Sequence, residues 1–148
     1  MIEKLVMNNE AEFVRQQILD VIRAGQGMEM ARAFYDRLFT AEPDLRGLFR
    51  SDMETLNRKM IMTLKSLFDT MPDKKGIDDV APNLAVPHLG LGLTDQHYEL
   101  FVTCLIRAAE DVRGYRMPPE ASAPLRRYFI ALGAAMRGFE DRLRAPNG

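Results

Sequence analysis

Two histidines, His88 and His97, fall in the stretch NLAVPHLGLGLTDQHY, and Cys104 is the chain's single cysteine. These are the side chains best suited to bind a metal or to start nucleophilic chemistry, so their spacing sorts the reactions open to the protein. A structural zinc site needs about four ligands, and one Cys with two separated His is too few. A Cys–His nucleophile pair is poorly served, because Cys104 lies among Val102, Leu105 and Ile106, where an apolar setting keeps a thiol protonated. Glu-x-x-His, the motif of di-iron helical bundles, does not occur. No glycine-rich stretch ends in Gly-Lys-Ser/Thr, which excludes a Walker phosphate loop. GLGLTD lacks the third glycine and the preceding strand of a dinucleotide site. One histidine is still enough where a cofactor brings most of a metal's ligands. Haem is such a case, since the porphyrin supplies four nitrogens and the protein need supply only one axial ligand. His88, directly behind Pro87, is the candidate for that role, although residue type alone also allows an ordinary surface histidine.

Composition bounds the setting. A length of 148 residues with 47% hydrophobic content suits one domain with one core. Twenty basic against 21 acidic residues leave a net charge of −1, so the basic surface of a nucleic-acid binder is not expected. No apolar run approaches the ~20 residues of a membrane span, and MIEKLVMNNEAEF lacks the basic-then-apolar order of a signal peptide. A lone cysteine cannot close an internal disulfide and fits a reducing compartment. A cytoplasmic protein without membrane or nucleic-acid partners is therefore expected. Ten methionines are flexible filler of the kind found around irregular pockets.

The elements that must position His88 all read as helical. Phe13, Ile18, Val21 and Ile22 mark a first helix, stopped by Gly25 and Gly27. A second runs from about Met28 to Phe39 with Ala31, Phe34, Tyr35, Leu38 and Phe39 as its apolar residues. AEPDLRGLF reads as a short turn of helix entered at Pro43, where proline is tolerated. From Asp52, a good N-cap, the residues Met53, Leu56, Met60, Thr63, Leu64, Leu67 and Phe68 form one stripe. MPDKKGIDD reads as a polar loop, followed by a short helix over 82–89. Thr94 caps a long helix that ends at Gly114, and PPE at 118–120 opens the last, whose inner side carries Leu125, Phe129, Leu132, Met136, Phe139 and Leu143. No strand alternation is visible. The expected fold class is all-α.

The order FYDRLF, PDLRGLF, DMETLNRKM and NLAVPHLGLGLTDQHY resembles the globin family, most of all the bacterial haemoglobins similar to the globin domain of flavohaemoglobins. The resemblance covers about 10–142 and implies a single domain over 1–148, folded as a three-over-three helical sandwich. It pairs Tyr35 with Phe49 fourteen residues on, and Pro43 with Phe49 six residues on. Leu56 then stands 32 residues before His88, and Tyr98 ten after it, with Glu140 in the last helix.

The resemblance implies haem b (iron protoporphyrin IX) as cofactor and His88 as the ligand to its iron. Phe49 would pack on the porphyrin, with Leu56, Met60, Phe101, Val102 and Met136 lining the pocket and Lys59 reaching a propionate. The groups acting on a bound gas would be Tyr35 on the distal side, and Tyr98 and Glu140 on the proximal side. In that network the two would lend His88 imidazolate character, pushing electron density toward iron and favouring activation of bound oxygen. There are two departures from the family pattern. Leu56 stands where Gln or His is usual, so Tyr35 is the only distal donor. Pro87 stands where Lys or Arg is frequent, and it removes a helical N–H bond.

Three functions follow as expectations. The first is a globin that reversibly binds O2, NO or CO, with NO dioxygenase or peroxidase-like activity as an enzymatic extension. These residues carry no flavin or nicotinamide motif, so turnover would draw on a separate reductase. The second is a gas- or redox-sensing haem domain, and the third a haem-free regulatory protein of the same fold, which Leu56 and Pro87 keep open. A monomer or weak homodimer is expected.

Overall fold

A computed structural model of the chain describes residues 7–49, 51–71, 74–85 and 92–144. Pro87 and His88 lie outside the described residues. Among those described, every regular element is helical: α1 (Asn9–Arg23), α2 (Gly27–Ala41), α3 (Met53–Thr70), α4 (Lys74–Ala85), α5 (Asp95–Arg113) and α6 (Ser122–Arg144). A 3₁₀ helix, Pro43–Leu48, forms the corner between α2 and α3, and another, Pro119–Ala121, leads into α6. No described helix is long and apolar enough to cross a membrane.

The caps follow the local sequence. Asn8 Oδ1 accepts from the Ala11 N–H at 2.7 Å and Asp52 Oδ1 from the Thr55 N–H at 2.8 Å, each satisfying an orphan donor of a first turn. Thr94 and His97 form a reciprocal box: Thr94 Oγ1 accepts from the His97 N–H at 3.3 Å, and His97 Nδ1 accepts from the Thr94 N–H at 3.0 Å. The second histidine is thereby a capping residue. Gly114 ends α5 with φ of 80°, the left-handed conformation that glycine reaches without strain.

Helix packs on helix around one core. α2 lies against α3 and α5, α6 against α4 and α5, and α1 closes the side formed by α3, α5 and the turn at Pro119. Phe34, Leu38, Leu64, Phe68, Val102, Leu125 and Tyr128 are fully or almost fully buried. Gly27 begins α2 rather than stopping α1. A Cβ there would meet the Ile61 side chain at 3.2 Å, so the missing side chain lets α2 approach α3.

Three sequence expectations are corrected. The polar stretch before Pro82 is not all loop, because α4 starts at Lys74 and carries Pro82 inside it. Ile77 and Ala81, one turn apart, are buried at 2% and 3% exposure, and that burial draws a polar segment into helix against local preference. Phe13, expected on the inner face of α1, is 41% exposed, since the buried stripe runs through Ala11, Val14, Ile18 and Val21 instead. Leu143 is 55% exposed, lying in the last turn of α6 beyond that helix's buried residues.

Candidate functional site

Tyr35, on α2, is 5% exposed. Its ring stacks on Phe39 with centroids 5.5 Å apart and meets Phe34 and Phe49 edge-on at 5.0 and 6.0 Å. Among the described residues its hydroxyl has no hydrogen-bond partner. Burial pushes the phenol up to about 12, so at neutral pH it is a protonated donor. The corner helix supplies Phe49, and Leu56, the first buried residue of the α3 stripe, is 7% exposed.

The tyrosine also sets a pH dependence. An unfolded tyrosine ionises near 10, whereas Tyr35 in the fold ionises near 12. The folded state keeps a proton that the unfolded chain has lost, so this contribution is complete below pH 10 and falls away between pH 10 and 12. Its size is on the order of 2 kcal/mol. Urea unfolding at pH 9 and pH 11.5 should show the alkaline loss, and Tyr35→Phe should remove that share of it. An identical loss in the variant would count against the burial of this phenol.

A second group of residues forms an apolar cleft of about 60 Å³. From α3 it takes Met60, Leu64 and Leu67, from α5 Tyr98 and Phe101, and from α6 Phe129, Leu132 and Met136. Leu84 and Leu93 bound it from the two sides of the segment that contains His88. Four sequence candidates, Met60, Tyr98, Phe101 and Met136, therefore share one cleft. Val102 is buried at 1% exposure but does not line the cleft. Lys59 is exposed on α3, one residue from Met60.

Aromatic contacts join the two groups. Phe34 touches Tyr35 at 5.0 Å and Phe101 at 4.8 Å, and Phe101 reaches Tyr98 at 6.4 Å. Phe34 was legible in the sequence as core but not as this link. Arg137 fixes the far end by pairing with Asp95 at 2.9 Å and donating to the Leu93 carbonyl at 3.5 Å. α6 thus grips the start of α5, a few residues after His88.

Tyr98 is held against α6. Tyr98 is 7% exposed and its hydroxyl donates to Met136 Sδ at 3.9 Å. Burial raises its pKa first, with Asp95 and Glu140 adding and Arg137 opposing. Glu140 is partly buried and pairs with Arg144 at 2.7 Å. Its carboxylate is felt at Tyr98 as charge.

Two residues were not legible as site residues. Asn57, beside Leu56, is 3% exposed and its Oδ1 has no hydrogen-bond partner among the described residues. Gly133 lies directly under the Tyr98 ring. Cys104 is a buried thiol whose pKa is raised by burial, with Arg37 opposing, so it is a poor nucleophile.

The cleft's chemistry suits a flat apolar macrocycle, with thioethers and leucines that adapt their shape, aromatic edges, and an exposed lysine for an acidic rim group. Its open space is small beside the roughly 300–1,000 Å³ of ligand pockets in general, so a macrocycle would enter by parting those side chains. The unpartnered Tyr35 hydroxyl adds a donor that a bound gas would satisfy.

Comparison with known proteins points the same way. A model of the globin family matches residues 32–136. A flavohemoprotein of Bacillus thuringiensis subsp. konkukian and one of Bacillus anthracis are each 26% identical over 92 residues. The match takes in 60% of this chain and 23% of each relative, so the chain spans about a quarter of their length. A solved bacterial globin from Campylobacter jejuni superposes with a TM-score of 0.61 at 21% identity, covering 88% of this chain and 96% of that one. That likeness extends to the all-helical fold.

Proposed function

This chain belongs to the globin family, and on that premise we propose that it holds haem b and reversibly binds O2, NO and CO at an iron ligated by His88. Haem supplies an iron with one coordination position left for a diatomic gas. The assignment of His88 rests on register, 32 residues after Leu56 and ten before Tyr98. Each described residue then has a physical task. Leu64, Leu67, Phe129 and Leu132 keep water from the macrocycle. Phe49 packs on its distal edge, and Lys59 offers an ammonium to a propionate at the surface. Tyr35 keeps its proton and donates a hydrogen bond to the gas, while Leu56 leaves that donor unaided.

The observation that carries this reading is Tyr35, a buried ring against Phe49 whose hydroxyl keeps its proton and has no hydrogen-bond partner among the described residues. A polarised gas at the iron would accept a hydrogen bond from that hydroxyl. The decisive experiment is the absorption spectrum of the purified protein with and without added haemin, reductant and CO. An intense Soret band that shifts on reduction and again with CO is expected. A preparation that stays colourless and leaves haemin unbound overturns the reading, and it would favour a haem-free regulatory protein.

The flavohemoprotein relatives support a narrower second reading, the oxidation of NO by O2 to nitrate. That reaction takes up one electron per NO, which a reductase would deliver. Loss of the oxygenated spectrum within the mixing time on adding NO, with nitrate formed in equal amount, is expected. Slow decay without nitrate refutes it and leaves gas binding or sensing.

A further inference from the structure

Gly133 is a glycine in the middle of a helix, a position where glycine ordinarily costs stability. Its place in the fold supplies the reason. A Cβ there would stand 2.5 Å from Tyr98 Cε2, 2.8 Å from Cδ2 and 2.9 Å from Cζ. The ring therefore rests on bare α6 backbone. Three residues on, and so on the same helix face, Met136 Sδ accepts the Tyr98 hydroxyl at 3.9 Å. Four further on, Glu140 brings its carboxylate, paired with Arg144 at 2.7 Å, close enough to act on Tyr98 through charge.

We propose that Gly133 and Met136 are the positioning residues of this wall: Gly133 seats the Tyr98 ring against α6, and Met136 takes the hydroxyl that would otherwise bond Glu140. The consequence rests on the haem reading above, in which Tyr98 faces the side of the macrocycle that His88 holds. A thioether is a weak acceptor, whereas a hydrogen bond to a carboxylate is roughly twice as strong as a neutral one. A carboxylate-bound tyrosine would make the axial histidine more electron-rich, the setting that favours oxygen activation. Held by sulfur, Tyr98 transmits little of that push, and the wall suits reversible ligand binding.

Two measurements test this separately. In the haem-loaded protein, Met136→Leu removes the sulfur at nearly constant volume, freeing Tyr98 to turn to Glu140. The iron–histidine stretching frequency should rise, and the rise should vanish in Tyr98→Phe/Met136→Leu. An unchanged frequency, or a rise that persists without the Tyr98 hydroxyl, overturns the role of Met136. The seat is tested without haem. Gly133→Ala should lower Tm by roughly 3–9 °C, and that loss should disappear in the Tyr98→Ala background. Should Gly133→Ala fail to fold alone, its folding in that background is the same positive result. An equal loss in both backgrounds overturns the seat. A protein that takes no haemin counts against the haem reading alone, because the Gly133–Tyr98 cycle is still read from Tm.

Discussion

Alanine at His88 is expected to abolish the reversible binding of O2 and CO and to collapse the Soret band, and imidazole in the buffer is expected to restore part of both. The porphyrin supplies four nitrogens, so the protein's hold on the iron depends on one axial side chain. No second histidine can stand in. His97 is committed to the cap of α5, where its Nδ1 accepts from the Thr94 N–H at 3.0 Å. Leu56 cannot ligate iron. Free imidazole supplies the missing nitrogen without the chain, which separates loss of a ligand from loss of the fold. The measurement is the Soret absorbance and its response to CO in wild type, in His88→Ala, and in the variant with imidazole. A variant with an unchanged band and unchanged CO response would transfer the ligand role elsewhere.

Phenylalanine at Tyr35 is expected to speed O2 release roughly ten- to hundredfold, with CO release far less affected. The ring contacts with Phe34, Phe39 and Phe49 do not use the hydroxyl, so the substitution removes a donor and leaves the packing. One such bond in a dry pocket contributes about 1–3 kcal/mol, and each 1.4 kcal/mol is about a factor of ten. O2 carries more negative charge than CO when it binds, so it loses more when the donor goes. Stopped-flow displacement of O2 measures the rate directly. Equal rates in wild type and Tyr35→Phe would remove Tyr35 from the distal site and leave the wall at Leu56 wholly apolar.

Much of this was legible in the residues because it is local. The α3 stripe from Met53 through Leu67 needs only a 3.6-residue period, and Asp52 needs only the open N–H groups three residues on. The spacing of Tyr35, Phe49, Leu56 and Tyr98 is a property of the chain, and Met60, Phe101 and Met136 do share the cleft with Tyr98. Other features could not be read there. α4 arises in a stretch rich in Lys, Asp and Gly, because the burial of Ile77 and Ala81 is decided by what packs over them. Phe13 looks like a core residue until the helix rotates it outward.

The sequence alone therefore determined the all-helical class and the caps at Asp52 and Thr94, since periodicity and capping are carried along the chain itself, and its resemblance to globins pointed to His88 as the candidate axial ligand. Tertiary structure decided what each side chain faces. It turned Gly27 from a stop signal into the point where α2 nears Ile61, and Gly133 from a weak spot in α6 into the seat of the Tyr98 ring. It gave the Tyr98 hydroxyl to Met136, whereas the resemblance to globins implied a network with Glu140. Met136 and Glu140 lie four residues apart on one helix face, and spacing cannot choose between two acceptors so placed. Only the position of α5 against α6 brings one sulfur within reach.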